Sequence, residues 1–161
     1  MPEIFPGRWS ADIEGDFVVF LIGMRVNHPW KLRKALFMLG TMPKLLKELD
    51  ANASLGCLGS WQVMRSPIAP TVIQYWRSFE HLERYAKDAA RAHRPAWAMF
   101  NRTVASNGDV GIWHETYRVR PGDYECIYNN MPSFGLARAT RQVPATGKRE
   151  SAGGRMTARP S

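Results

Sequence analysis

The sequence predicts an α+β fold in which one antiparallel sheet carries helices on a single face. Three observations predict it. Four apolar runs rich in β-branched and aromatic residues read as strands. Two stretches with apolar residues at three- and four-residue steps read as helices. Their order is strand, helix, strand, strand, helix, strand, which is the ferredoxin-like split βαβ arrangement. Such a sheet leaves its other face apolar and uncovered. A homodimer is therefore expected, two sheets closing into a dimeric α+β barrel.

The first strand is FVVFLIGMR, from Phe17 to Arg25, a near-continuous apolar run. Pro29 and Trp30 open a helix whose apolar face carries Leu32, Leu36, Leu39, Met42, Leu45, Leu46 and Leu49. Pro43 is expected to kink or divide it. LGCLGSWQVMR, from Leu55 to Arg65, reads as a glycine-interrupted strand. The turn SPIAP then joins it in a hairpin to TVIQYW, Thr71 to Trp76. Ser78 is an N-cap for the helix SFEHLERYAKDAARAH. Pro95 disfavours helical geometry at Arg94, so a fresh helical turn is expected to start there and run through Phe100. Val110 to Val119 is the fourth strand, and Tyr124 to Tyr128 a short last one.

The chain has 161 residues, 45% of them hydrophobic and 22% charged, which suits one compact domain. Three parts are expected: an N-terminal extension over 1–16, the barrel domain over 17–137 and a basic flexible tail over 138–161. The net charge is +8. Six of the basic residues lie from Arg138 onward against one acid, Glu150, in a stretch without apolar periodicity. The charge therefore reads as a tail property, and no specific nucleic-acid partner is expected. No apolar run is long enough to span a bilayer, and the N-terminus does not read as a signal peptide. A cytoplasmic protein without a membrane partner is the expectation. Cys57 and Cys126 sit in apolar runs and read as free buried thiols. There is no GxGxxG, Walker loop, CxxC pair or HExxH, so nothing indicates a flavin or nicotinamide fold.

Chemistry concentrates in a few stretches. VGIWHETY places Trp113, His114, Glu115 and Tyr117 on one strand, where alternation sets Trp113, Glu115 and Tyr117 on one face and His114 on the other. Either set can face a cavity while the other faces a partner subunit. HRPAWAMFN places Trp97 one helical turn from Phe100 and Asn101, with His93 about a turn earlier. Two apolar plates with two polar handles suit a ligand pocket, and helix packing alone accounts for Trp97 equally well. At the exit of the first strand stand Arg25, Asn27, His28 and Trp30; Arg25 there could clamp a carboxylate or enolate oxygen. YNNMP, from Tyr128, reads as a turn or as a site.

The segments IGMRVN, VIQYWRSFEHLERYA, AHRPAWAMFN, VGIWHETY and YECIYNNMPSFGL resemble a bacterial and fungal family of monooxygenase-like proteins. Its members are similar to a small monooxygenase of fumagillin biosynthesis and belong to the dimeric α+β barrel superfamily. The likeness covers roughly residues 17 to 137. It implies a monooxygenase of secondary metabolism acting on a small hydrophobic substrate and dioxygen in an enclosed cavity, with no cofactor required. In that reading His93 is the general base, and Trp97, Phe100, Trp113, Tyr117, Asn27, Trp30 and Tyr128 contact substrate. Asn101 and Arg25 stabilise developing negative charge, and His114 with Glu115 forms a supporting pair or an alternative base.

Related barrels bind haem through a helix histidine after the third strand, a position that His93 resembles. The alternative is thus a haem b protein with His93 or His114 as axial ligand and Arg25, Arg77 or Arg94 near the propionates. The haem-degrading members carry an Asn at the start of the first strand, whereas Asn27 lies at its end. A third reading is a dimer that binds a ligand without catalysis.

Overall fold

The structure is a computed structural model that describes residues 2–64, 66–88, 98, 101–102 and 108–158, with side chains from 31 to 39 excepted. The main sheet has four antiparallel strands in the order β3-β4-β2-β5: β2 is Phe17–Val26, β3 Cys57–Met64, β4 Pro70–Trp76 and β5 Val110–Val119. The helices α1 (Leu32–Ala51) and α2 (Phe79–Lys87) connect them as the split βαβ order requires. Helix α1 runs through Pro43 undivided. Helix α2 starts at the Ser78 N-cap, whose hydroxyl accepts the His81 amide.

Strand β2 is central in the sheet and apolar except for Arg25. Its pairing runs from Val18↔Trp76 to Gly23↔Thr71 on one edge, and from Phe17↔Val119 to Val26↔Val110 on the other. One face of the sheet meets the helices. There Val18, Leu49, Trp76, Leu82 and Tyr85 form a buried cluster against Phe20 and Phe79. Leu45 and Leu49 bring the apolar stripe of α1 down onto this face.

The opposite face is partly covered by a second sheet absent from the sequence expectation. Strand β1 (Phe5–Asp12) pairs with β6 (Tyr128–Met131) and with β7 (Arg141–Pro144), both antiparallel. Helix α3 (Gly135–Ala139) lies between them and the main sheet. Together these elements bury Phe17, Leu136 and Ala137 against Val19, Tyr75 and Tyr128. A Cβ at Gly59 would lie 2.9 Å from that of Ala139, so the glycine is what lets α3 reach β3.

Two expectations change here. The last strand starts at Tyr128, where it meets Trp9, and not at Tyr124. Residues 138–158, read from composition as a flexible tail, instead carry β7 and a terminal helix α4 (Ala152–Thr157). Arg141 and Arg149 both reach the buried carboxylate of Asp12, and Arg155 Nε donates to Glu125 at 2.7 Å. Long-range ion pairs and strand pairing order a segment that has no apolar periodicity of its own. Among the described residues no helix is long and apolar enough to cross a membrane.

Candidate active site

Register fixes the faces of β5. His114 stands opposite Ile22 and Thr116 opposite Phe20, both on the helix side. Trp113, Glu115 and Tyr117 pair with Gly23, Leu21 and Val19 on the other side. The alternatives left open by the sequence are thereby resolved: His114 faces the helix side, and the aromatic set faces away.

Between the sheet and helices α1 and α2 lie two adjoining hollows that share Ile22 and Met42 in their walls. Each encloses about 420 Å³ of atom-free space including its open mouth. One is bounded by Met24, Val72, Pro70, Gln62 and Ile112. The other is bounded by Phe20, Leu45, Leu49, Trp76, Leu82 and Tyr85, with Gln74 in its wall. The second hollow has two polar groups of note. The Tyr85 hydroxyl donates to Glu48 Oε2 at 3.1 Å, tying α2 to α1. Gln74, only 6% exposed, accepts the Trp76 indole N–H at 2.9 Å through its side-chain oxygen.

His114 lies at the edge of this space, its ring centroid 5.7 Å from that of Phe20, and it is itself exposed. Gln74 and His114 flank β2 from opposite edges: Gln74 is opposite Phe20, and His114 opposite Ile22. Two strand spacings and two residues of offset put them roughly 12 Å apart at the backbone.

Most of the other expected site residues do not meet there. His93, Trp97, Phe100 and Arg94 lie outside the described residues. Asn101 is helical and exposed, and does not line either hollow. Arg25 is exposed, and strand alternation turns it from the helix side, which Met24 and Val26 occupy. Arg77 is also exposed. Trp30 is 78% exposed, its ring 5.0 Å from that of His28. Asn27 donates through Nδ2 to the Gly108 carbonyl at 3.0 Å, closing the end of the sheet.

Tyr128 is packed under the second sheet, where its oxygen accepts the Ala137 amide at 3.4 Å. Burial, with Cys126 beside it, pushes that phenol up from its ordinary range. Trp113 and Tyr117 are 41% and 51% exposed. The Tyr117 hydroxyl donates to Glu115 at 2.6 Å, which raises its pKa.

Two polar groups escaped the sequence reading. Gln74 is the lone amide in an otherwise apolar and aromatic strand, a visible signal. Asp109 is 2% exposed and lies 3.0 Å from His28 Nδ1, a partnership 81 residues apart that no spacing rule reveals. Both cysteines are free, and burial raises the Cys57 thiol to about 11. Among the described residues no cluster of three or more His, Cys, Asp or Glu could hold a metal ion.

A crystal structure of an aldoxime dehydratase (OxdRE) in complex with butyraldoxime superposes with a TM-score of 0.70 at 20% identity, covering 84% of this chain and 40% of that one. A second aldoxime dehydratase structure gives 0.68 at 21% identity, covering 90% and 45%. These likenesses concern the fold. A monooxygenase of Aspergillus fumigatus, Monooxygenase af470, is 25% identical over 170 residues, which span 89% of this chain and 58% of that relative. The chain thus spans little more than half the length of this curated relative. Residues 17–136, the main sheet with its helices and the start of α3, match the family model described as Monooxygenase af470-like, and the chain belongs to that family.

Proposed function

We propose that the protein is a monooxygenase that oxidises a small hydrophobic metabolite of secondary metabolism between its sheet and helices, without a bound cofactor. The observation that carries this reading is the largely apolar hollow walled by Phe20, Ile22 and Trp76, with the imidazole of His114 at its edge and one buried amide in its wall. Membership of a monooxygenase family supports it. In this chemistry a base takes a proton from an acidic carbon of the substrate. The resulting anion supplies electrons to dioxygen; one oxygen atom enters the substrate and the other leaves as water. An imidazole titrates near neutral pH and is suited to the first step. His114 is a candidate base among the described residues, and His93, the base expected from the sequence, lies outside them. The apolar walls exclude water and hold the substrate against the base.

Haem b is the alternative that related barrels suggest, and its first candidate ligand, His93, lies outside the described residues. Among the described residues His114, beside Phe20, is the other candidate ligand. Of the arginines expected at the propionates, Arg25 and Arg77 are exposed, and Arg25 is on the other face of the sheet.

We also propose a homodimer closed through the face away from the helices. Leu21 and Ile73 share that face with Trp61, Trp113 and Tyr117. The deciding experiment is dioxygen uptake by the purified protein with an acidic aromatic ketone such as anthrone, together with the absorption spectrum of the protein as isolated. Uptake above autoxidation, lost in His114→Ala or His93→Ala, is expected from a colourless protein. A haem absorption band, or uptake unchanged by either substitution, overturns the reading.

A further inference from the structure

We infer that Gln74 is a substrate-reading residue, whose side-chain NH2 group binds a carbonyl or enolate oxygen of the molecule held between the sheet and the helices. The inference rests on the proposed function and narrows its substrate class. An indole N–H can only donate, so the Gln74 atom that faces Trp76 Nε1 at 2.9 Å is the amide oxygen. That bond fixes the orientation of the amide, and the NH2 group is the other arm. Gln74 is more than nine-tenths buried and forms part of the hollow's wall; Nε2 has no protein partner among the described residues and keeps some accessible surface.

A buried amide donor is normally paired, because leaving it unpaired forfeits its bonds to water. The hollow is walled by Phe20, Ile22, Leu45, Leu49 and Leu82, which offer no acceptor, and by Met42, whose thioether is only a weak one. The nearby Tyr85 hydroxyl donates to Glu48, and its oxygen receives no bond from Gln74 Nε2. The bonding capacity that the fold leaves open at this point is therefore that of a donor, held by Trp76 and directed at an apolar guest. The guest that satisfies it is an apolar molecule carrying a carbonyl oxygen. Once such a molecule loses a proton alpha to the carbonyl, charge gathers on the oxygen and the bond strengthens.

The test uses two probes of similar size, acetophenone and ethylbenzene, titrated into the wild-type protein by calorimetry. The Gln74 side-chain 15N–1H resonances are followed in parallel. Acetophenone is expected to bind about tenfold tighter than ethylbenzene and to shift the Gln74 resonances, which ethylbenzene leaves in place. In Gln74→Met, whose thioether keeps the length and a weak acceptor for Trp76, the two probes should bind alike. In Gln74→Leu, which removes both arms of the amide at similar volume, the preference should again vanish. Equal binding of both probes by the wild type, or a preference that survives either variant, overturns the role of Gln74 while leaving the hollow as a ligand site. Binding of neither probe removes this inference and the occupied hollow of the proposed function together. If neither variant folds, the wild-type preference and the Gln74 resonances decide alone.

Discussion

His28 Nδ1 lies 3.0 Å from Asp109 Oδ1, at the point where β2 ends and β5 begins. The backbone repeats the link, since the Asp109 carbonyl accepts the amides of Asn27 and His28. The carboxylate is buried while the imidazole is partly open to solvent, so the acid depends on its partners more than the histidine does. A double-mutant cycle with His28→Ala and Asp109→Asn should give a coupling energy of about 1–3 kcal/mol in urea unfolding. A coupling close to zero would mean that the pair does not hold the two strand ends together.

Trp113 lies flat across β2 because residue 23 is glycine. A Cβ there would sit 2.5 Å from Trp113 Nε1 and 2.6 Å from Cε2, closer than such atoms approach. Gly23→Ala should therefore cost about 1–3 kcal/mol, as overpacking does, despite the gain that alanine normally brings to a strand. The denaturant midpoint measures the cost, and near-ultraviolet circular dichroism reports the displaced indole. A midpoint at or above that of the wild type contradicts the contact.

What was legible in the sequence follows from the range of the interactions. The strand Val110–Val119 and the Ser78 cap could be read because local alternation and a local side-chain bond specify them. Strands β1 and β7 could not, because FPGRWSAD and RQVP become strands only by pairing across more than a hundred residues, Trp9 with Tyr128 and Pro144. The face of β5 was undecidable locally, since both alternating sets carry polar groups; the register with Phe20 and Ile22 decides it. Gln74 was passed over as one polar letter in TVIQYW. Its meaning appears only with the Trp76 indole on its oxygen and the helices closing above it.

Stability at alkaline pH should bear the mark of Cys57. Burial raises its thiol from an ordinary 9.0 to about 11, a rise that a backbone hydrogen bond with Gly59 offsets only in part. Below pH 9 the thiol is neutral in both folded and unfolded chains, and its stabilising contribution is fully present. Between pH 9 and about 11 the unfolded chain releases the proton and the folded one keeps it, so stability falls. The loss attributable to this thiol is about 2–3 kcal/mol at the end of that window. Tyr75, Tyr124 and Tyr128, all raised chiefly by burial, add to the decline in the same sense. Cys57→Ala should flatten the first part of the curve of urea midpoint against pH and leave the tyrosine part. An unchanged curve would show that the thiol reaches solvent.

The face away from the helices supplies the last prediction. Val63 and Trp113 are each 41% exposed on the same sheet face as Ile73, Leu21 and Trp61. Apolar side chains grouped on one sheet face favour burial against a second copy, and a two-fold axis would set each residue near its own symmetry mate. Light scattering after gel filtration should give twice the 18.3 kDa of the chain. Ile73→Asp places a carboxylate in the middle of that face and should yield a monomer that keeps its far-ultraviolet spectrum. Because Ile73 and Gln74 point to opposite sides of β4, binding of acetophenone in the hollow should survive the substitution. A wild-type monomer, or a dimer unaffected by Ile73→Asp, would place the subunit contact elsewhere or remove it.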